Sequence, residues 1–538
     1  MRNFRDSKCI WMAGASALAI GLTVPNATAQ EDSPDQTRTL TTVTVTTQKV
    51  EESIQDVPIA VSAFDEDALE KMQLSGGPDL VKSIPNVNFS KTNFTSYNFR
   101  IRGIGVDAVS NSADFGVGVH MNDVPLTSNA FFEAEFYDVE RVETLRGPQG
   151  TLYGRNATGG VVNVITAKPV LGEYEGSLEA TYGNYNTFKA KGMLNLPLGD
   201  AVALRVAGSL LQRDGYVDNL TTGNDIDDRD LYSVRASLAF EPTDRFRGLL
   251  MIEHFKEDDS RLRSGKQLCD KDPIKTSFAG IPISAFDQIA TSQSCVEADL
   301  DSPTSLEGLN TAATLAGQFG MLAGLMGGID ASGNAINVDY NLNGITPDLR
   351  TIESFFDPTY ETEQTLYTWK GEYDLTDSLL MTYLGSYNEY ETISQEDYNE
   401  YASDLPFNTA PGPFIALNGA ETAGGLASLY PLVFPGGVVF DPQLGPTTTS
   451  VAADISGGVS EQTTHELRLL SDFDGPFNFN LGAIKVDYEV NKGPALPESY
   501  YVFFNGGTGY VQLNNALSQL ATGMPAFSIE DPANAGAT

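Results

Sequence analysis

The side chains of this chain that could do chemistry are few in kind. His120, His254 and His465 are its only three histidines, and they stand far apart. Paired histidines that would hold zinc or haem iron are therefore missing from the pattern. No GxSxG elbow is present, so a serine triad has no nucleophile on a strained turn. With 71 Asp and Glu, a glycosidase pair cannot be excluded by counting. The distinctive positions are arginines beside glycines: Arg102–Gly103 and Arg146–Gly147, the second followed by Gly150, Gly154, Gly159 and Gly160. A guanidinium on such a backbone can approach another strand closely and grip a carboxylate with two N–H bonds. The other reading is ordinary surface arginines. The glycine run is not a phosphate loop, because Gly159 is followed by Gly160 rather than Lys and Ser/Thr, and no βαβ unit surrounds it. No metal, cofactor or catalytic set is expected.

The elements that position these residues begin after a leader. Arg2, Arg5 and Lys8 precede the uncharged apolar run Ile10–Val24, and Ala27-Thr28-Ala29 is the small-x-small pattern of a signal peptidase site. Residues 1–29 are expected to be a cleaved signal peptide. The apolar run is short of the roughly 20 residues that span a bilayer. The chain carries a net charge of −38, and removing this basic leader makes it more acidic still. Broad electrostatic binding of nucleic acid or anionic lipid is excluded at that charge. Cys269 and Cys295 remain as a pair in an oxidising compartment. They are expected to close one disulfide, with about 3 kcal/mol from loop closure; two unrelated thiols are the alternative. Thr311–Gly328 has no charge over 18 residues, but it is mostly Ala, Gly and Thr. It is expected to be a short helix within a long exposed loop rather than a membrane span.

Residues 30–52 form a polar extension containing the alternating run Thr41–Thr46, which reads as an extended strand seeking a sheet edge. A compact α+β stretch follows over 53–168. Strands are expected at Ile59–Phe64, Ser96–Ile104, Val117–Met121, Val139–Leu145 and Gly160–Thr166, with helices at Glu66–Met72 and Asp79–Ser83. Over 169–538 the text changes to period two, about ten residues at a time. Tyr232, Val234, Ala236, Leu238 and Phe240 oppose Ser233, Arg235 and Ser237, and Val202–Leu210 sets Val202, Leu204, Val206 and Leu210 against Arg205 and Ser209. Tight turns at Pro197–Asp200, Glu241–Asp244, Asp374–Asp377 and Ser471–Phe477 alternate with long connections, roughly Glu257–Glu363 and Glu396–Glu461. A soluble sandwich would also alternate apolar and polar residues. Short turns at one end, long loops at the other and aromatics near strand ends describe a transmembrane antiparallel barrel with its short turns in the periplasm. The fold class is therefore mainly β, with an N-terminal α+β domain that the resemblance given below implies is a plug. Roughly ten strands are legible, against about 22 for a barrel that holds a folded plug. The barrel is expected to be cut short at its C-terminal side. Open edges in lipid leave backbone groups unpaired, so the chain alone is not expected to form a stable barrel.

Four segments appear in order: DLVKSIPNVNFS (Asp79–Ser90), FRIRGIG (Phe99–Gly105), GVGVHMNDVPL (Gly116–Leu126) and DVERVETLRGPQGTLYGRNATGGVVNVIT (Asp138–Thr166). In that order and spacing they resemble the plug of TonB-dependent receptors, strongly over residues 40–168 and more loosely over the strands beyond. The resemblance implies that Thr42, Val43, Thr44, Val45 and Thr46 are a TonB box, which pairs as an added strand with a TonB-type energy-transducing protein of the inner membrane. A disordered linker is the plainer reading of that segment. The resemblance also implies residence in the outer membrane, in contact with its lipid, and no enzymatic step. Active uptake of a scarce small ligand is the implied activity, with a ferric siderophore leading and saccharides or other large nutrients as the alternative. Lys91, Phe94 and Tyr97 would face that ligand from a plug loop; simple plug packing is as good a reading of them. A signalling receptor would need a further folded domain, for which Gln30–Leu40 is too short. An adhesin is left as the remaining class.

Overall fold

Alternation and glycine punctuation translate directly into strands and turns. The computed structural model describes residues 44–50, 52–91, 97–106, 114–262, 269–270, 277–278, 280–282, 296–297, 348–397, 438–441, 445–448, 452–490 and 501–504. The leader, Thr42, Val43, Phe94, Cys295 and Thr311–Gly328 lie outside the described residues. Cys269–Asp270 pairs antiparallel with Val296–Glu297, next to Cys295 in the chain.

Thr44–Val45 (β1) pairs antiparallel with Glu52–Ser53 (β2). Val61–Asp65 (β3) runs into the helix Glu66–Lys71 (α1). Asp65 caps that helix by accepting from the Ala68 N–H at 2.9 Å, and Glu66 and Asp67 sit at its positive end. Leu80–Ser83 (α2) is entered through a short 3-10 turn at Gly77–Asp79. Val87–Lys91 (β4) and Tyr97–Ile101 (β5) form a hairpin that pairs Lys91 with Tyr97. The expected strand Ser96–Ile104 ends early because Arg102 and Gly103, with φ of 53° and 78°, turn the chain back on itself. Ile101 and Ile104 exchange hydrogen bonds across that turn at 2.9 and 3.0 Å.

Val117–Met121 (β6), Val124–Leu126 (β7), Val139–Arg146 (β8), the helical turn Gly150–Tyr153 (α3) and Gly160–Thr166 (β9) complete this region. The sheet order is β3-β8-β9-β6-β7, with β6 and β9 parallel and every other pairing antiparallel. All seven residues of β9 are buried, as the near-continuous apolar run GVVNVIT requires of a strand covered on both faces.

The remaining strands form one ten-stranded antiparallel sheet. They are Glu175–Tyr182 (β10), Phe188–Pro197 (β11), Val202–Arg213 (β12), Arg229–Thr243 (β13), Phe246–Asp259 (β14), Thr359–Thr376 (β15), Leu379–Glu396 (β16), Ala452–Ser471 (β17), Asn480–Val490 (β18) and Tyr501–Phe504 (β19). The first nine follow one another in space as in sequence, while β19 pairs with Ala452–Ile455 of β17. Among the described residues β10 and β18 are edges, and the sheet does not close on itself.

Its polarity is inverted relative to a soluble sheet. Leu178, Tyr232, Val234, Phe240, Leu250 and Ile252 are exposed, while Arg205, Ser233, Arg235, Ser237, Glu253 and Gln364 are buried. The buried polar face is the one that holds the β3–β9 region. Plug and wall residues share one apolar core, in which Phe131 meets Phe255 edge-on with ring centroids 6.5 Å apart. Strands β15, β16 and β17 run 18, 18 and 20 residues, longer than the roughly 9–11 that cross a bilayer. Their extra length rises at the end that carries the long connections.

Candidate functional site

The site is the seam where the Thr44–Lys49 segment meets the plug and the inner face of the sheet. Val45 is fully buried, and Thr46 ends the strand by donating its N–H to a Glu143 carboxylate oxygen at 2.8 Å. The Thr46 hydroxyl donates to the same oxygen at 3.1 Å. Glu143 stands in β8 with no exposure and also accepts from Arg141 Nε at 2.8 Å. A buried carboxylate is tolerated here because charged and neutral donors converge on it.

Three residues on, Lys49 turns inward with φ of 65°. Its ammonium lies 2.9 Å from Asp123 and 4.1 Å from the centre of the Tyr153 ring. Asp123 occupies the β6–β7 turn, where Asn122 and Asp123 both have positive φ. Its carboxylate accepts from Asn163 Nδ2 at 3.1 Å and faces Arg468 of β17 at 3.9 Å. Burial alone would raise the Asp123 carboxyl, but Lys49 and Arg468 outweigh it and hold the group well below its ordinary value. The neighbouring His120 ring packs edge-on against Tyr153 at 5.2 Å. Its pKa is pushed down to about 3, first by burial and then by the Lys49 charge. Burial, with Asp123 and Glu143 nearby, holds the Tyr153 phenol well above its ordinary value. Asn480, at the start of β18, donates to the Gln48 carbonyl at 3.4 Å, which places this segment at the short-turn end of the sheet.

A second seam holds the plug to the wall. Arg205 of β12 grips Asp138 through Nε at 3.0 and 3.1 Å and through Nη2 at 2.6 Å. Arg235 of β13 donates to the Asp138 carbonyl at 2.7 Å and lies over the Tyr137 ring at 4.8 Å. The Tyr137 hydroxyl donates to Glu253 at 2.9 Å. Nearby, Glu133 pairs with Arg261 at 3.1 Å, and Glu135 pairs with Lys189 and Lys191.

Of the residues singled out in the sequence, Thr44, Val45 and Thr46 enter the first seam. Arg102 is exposed and Arg146 half-buried, and neither has an ion pair among the described residues. Gly147 lies against them, since a Cβ there would stand 3.6 Å from Arg102 Nη1. Gly150 opens α3 and Gly154 ends it. Gly159 and Gly160 let β9 pass close to other backbone. A Cβ on Gly160 would lie 2.2 Å from the Leu145 carbonyl oxygen, and one on Gly159 2.9 Å from that of Ile104. Lys91 and Tyr97 are the paired ends of the β4–β5 hairpin. Lys49, Asp123, Asp138 and Glu143 were not foreseen as site residues. The Asn122-Asp123 pair is a turn signal that could have marked one of them. His254 bonds to Thr365 at 2.9 Å and His465 to Tyr383 at 2.8 Å, on different strands from each other and from His120. Among the described residues no group of three or more His, Cys, Asp or Glu could hold a metal ion. The arrangement positions buried charges and pairs them across the seam between plug and wall.

Residues 53–161 match the family model described as TonB-dependent Receptor Plug Domain. Over those residues the chain is similar to the plug of TonB-dependent receptors. The pesticin receptor of Yersinia pestis is 34% identical over 164 residues, 30% of this chain and 23% of that protein. The iron-regulated outer membrane virulence protein of Vibrio cholerae is 29% identical over 190 residues, 34% of this chain and 29% of that protein. The match thus spans under a third of either relative. The ferripyoverdine receptor of Pseudomonas aeruginosa superposes with a TM-score of 0.51 at 12% identity, covering 83% of this chain and 45% of that one. At that identity the likeness shows the fold alone: a receptor plug against a receptor-type wall.

Proposed function

We propose that the chain works in active uptake across the outer membrane, carrying a scarce ligand inward without altering it. The observation that carries this reading is the docked Thr44–Lys49 segment. It begins with the last three residues read as a TonB box, and its bonds run to both plug and wall. A TonB-type protein that captured Val43 and Val45 as an added strand would pull on Thr46 and Lys49 next. The Thr46–Glu143 and Lys49–Asp123 contacts would then part before the two-arginine grip on Asp138 is loaded. A ferric siderophore is the favoured ligand. It brings its own donor atoms, and the pesticin receptor and the iron-regulated virulence protein are among the similar proteins.

The test is accumulation of radioiron, supplied as a ferric chelate, by cells that express the locus. Val43→Pro is expected to abolish accumulation at an unchanged surface amount, because proline cannot donate to an added strand. Accumulation that survives the substitution overturns the box assignment. Induction of the locus by a single carbon source, and not by iron limitation, would replace iron chelates with saccharides as the ligand.

A further inference from the structure

Where the plug meets the end of the wall that carries the long connections, several charged groups are buried together. Glu133 closes the plug turn Ala130–Glu133, whose Phe131 packs on Phe255 of β14. Glu257 and Asp259 stand two residues apart on β14, so both point inward from the same face. Arg229 opens β13, and Arg261 lies two residues past the end of β14. None of the three carboxylate side chains is more than 1% exposed.

Both arginines stand between the plug carboxylate and those of the wall. Arg261 Nη1 is 3.1 Å from Glu133 and 3.4 Å from Glu257, and its Nε is 4.0 Å from Asp259. Arg229 is 3.1 Å from Glu257, 3.6 Å from Glu133 and 3.6 Å from Asp259. Arg261 Cζ lies 3.6 Å from the centroid of the Tyr360 ring of β15, which fixes the plane of the guanidinium. Tyr390 and Glu396 of β16 are buried on the next strand. Asp228, ahead of β13, accepts from the N–H and the hydroxyl of Ser260.

The hydrogen bonds of the two wall carboxyls are the informative part. Asp259 and Glu257 lie within hydrogen-bonding reach of each other. Among the described residues no donor is aligned on either Glu257 oxygen or on Asp259 Oδ2, although the arginines stand close. Two ionised carboxylates offer each other only lone pairs. A proton on one of them supplies the missing donor and removes one of two adjacent buried charges. Asp259 is the last of the 14 residues of β14, past the roughly 9–11 that cross a bilayer. Burial first, and the Glu257 charge second, push its carboxyl up to about 9.

We propose that Glu257 and Asp259 share one proton at neutral pH, and that this proton leaves Arg229 and Arg261 available to Glu133, making the plug turn a proton-held latch. When hydroxide removes the proton as water, the pair gains a second charge and draws both guanidiniums from Glu133 towards the wall. The latch is independent of the uptake reading. The docked turn keeps a proton that the released turn gives up more readily. Docking therefore weakens as the pH rises towards 9 and levels off above it. The test is hydrogen exchange of the full chain in outer-membrane vesicles from expressing cells, with the intrinsic base-catalysed rate divided out. The reporter is the turn itself, where the Phe132 N–H donates to the Asn129 carbonyl at 3.0 Å. Its protection in the wild type is expected to fall about tenfold from pH 7 to pH 9.5. Asp259→Asn keeps a neutral side chain in place and is expected to hold protection level over that range. Glu257→Gln should do the same, and it keeps the test open where the first variant fails to fold. The infrared band of protonated carboxyls at pH 7 is expected to lose intensity in either variant. Level protection in the wild type overturns the latch, as does an equal fall in the wild type and both variants. An infrared band unchanged in both variants overturns the shared proton.

Discussion

The Lys49 ammonium lies 2.9 Å from the Asp123 carboxylate, and the two side chains are only 2% and 12% exposed. Removing one partner of a buried pair strands the other, at about 3–5 kcal/mol. Asp123→Asn is therefore expected to free the Thr46–Lys49 segment from the plug. A cysteine placed at buried Val45 reports this, since its alkylation by a water-soluble maleimide should speed up by at least about tenfold in the Asp123→Asn background. An unchanged rate would mean that the Thr46–Glu143 bonds hold the segment alone. Lys49→Gln combined with Asp123→Asn should recover part of the protection, because the ammonium is then no longer buried against an amide, while Arg468 keeps its pair with Glu466.

His120 gives the plug a pH dependence of definite sign. Its folded pKa of about 3 lies below the ordinary 6.5, through burial first and Lys49 second. A depressed pKa contributes stability that is present above pH 6.5 and lost as the pH falls towards 3, because the unfolded chain takes up a proton that the folded chain refuses. The expected slope is about 1.4 kcal/mol per pH unit in that window. Hydrogen-exchange protection of the β6 amides, measured at pH 7.5 and pH 5, should fall in the wild type and stay level in His120→Phe, which keeps an edge-on ring against Tyr153. Equal loss in both proteins would place the sensitivity elsewhere. Below the ordinary carboxyl range Asp123, also depressed, adds to the loss in both.

Asp138 is held by Arg205 and Arg235, whose side chains are 8% and 3% exposed. Asp138→Asn leaves two guanidiniums buried against a neutral amide. About 3–5 kcal/mol should be lost from the plug–wall seam. The readout is protease cleavage within β8 in membrane vesicles, which should appear at lower urea in the variant. Unaltered cleavage would show that Glu133 and Glu135 anchor the plug without it.

Two glycine substitutions should separate strain from collision. At Gly160 φ is 151° and a Cβ would lie 2.2 Å from the Leu145 carbonyl. Gly160→Ala must push apart two paired strands and should cost more than about 3 kcal/mol. At Gly103 φ is 78° with nothing within 4 Å, so Gly103→Ala should cost only the left-handed penalty of about 1–2 kcal/mol. Thermal unfolding of the two variants side by side checks the order. Equal destabilisation would mean that β8 and β9 part easily.

Much of the architecture was legible before folding was considered. Period-two text named the outward residues Tyr232, Val234 and Phe240 and the inward residues Ser233, Arg235 and Ser237, because side chains alternate across any strand whatever its partners. Val117–Met121 and Gly160–Thr166 were read to the residue, since their apolar runs are bounded by glycine or turn residues. The plug was legible from ordered motifs, a local property of the chain. Arg205 and Arg235 could be placed on the inner face but not given a partner. Asp138 lies 67 and 97 residues from them in sequence, and only strand register and the seating of the plug bring them together. The same holds for Lys49 with Asp123, and for Glu133 with Arg261. The sequence by itself determined the elements and their faces, through steric periodicity and turn chemistry. Which buried charge answers which was decided by tertiary structure alone, because ion pairing depends on positions in space that no local pattern encodes.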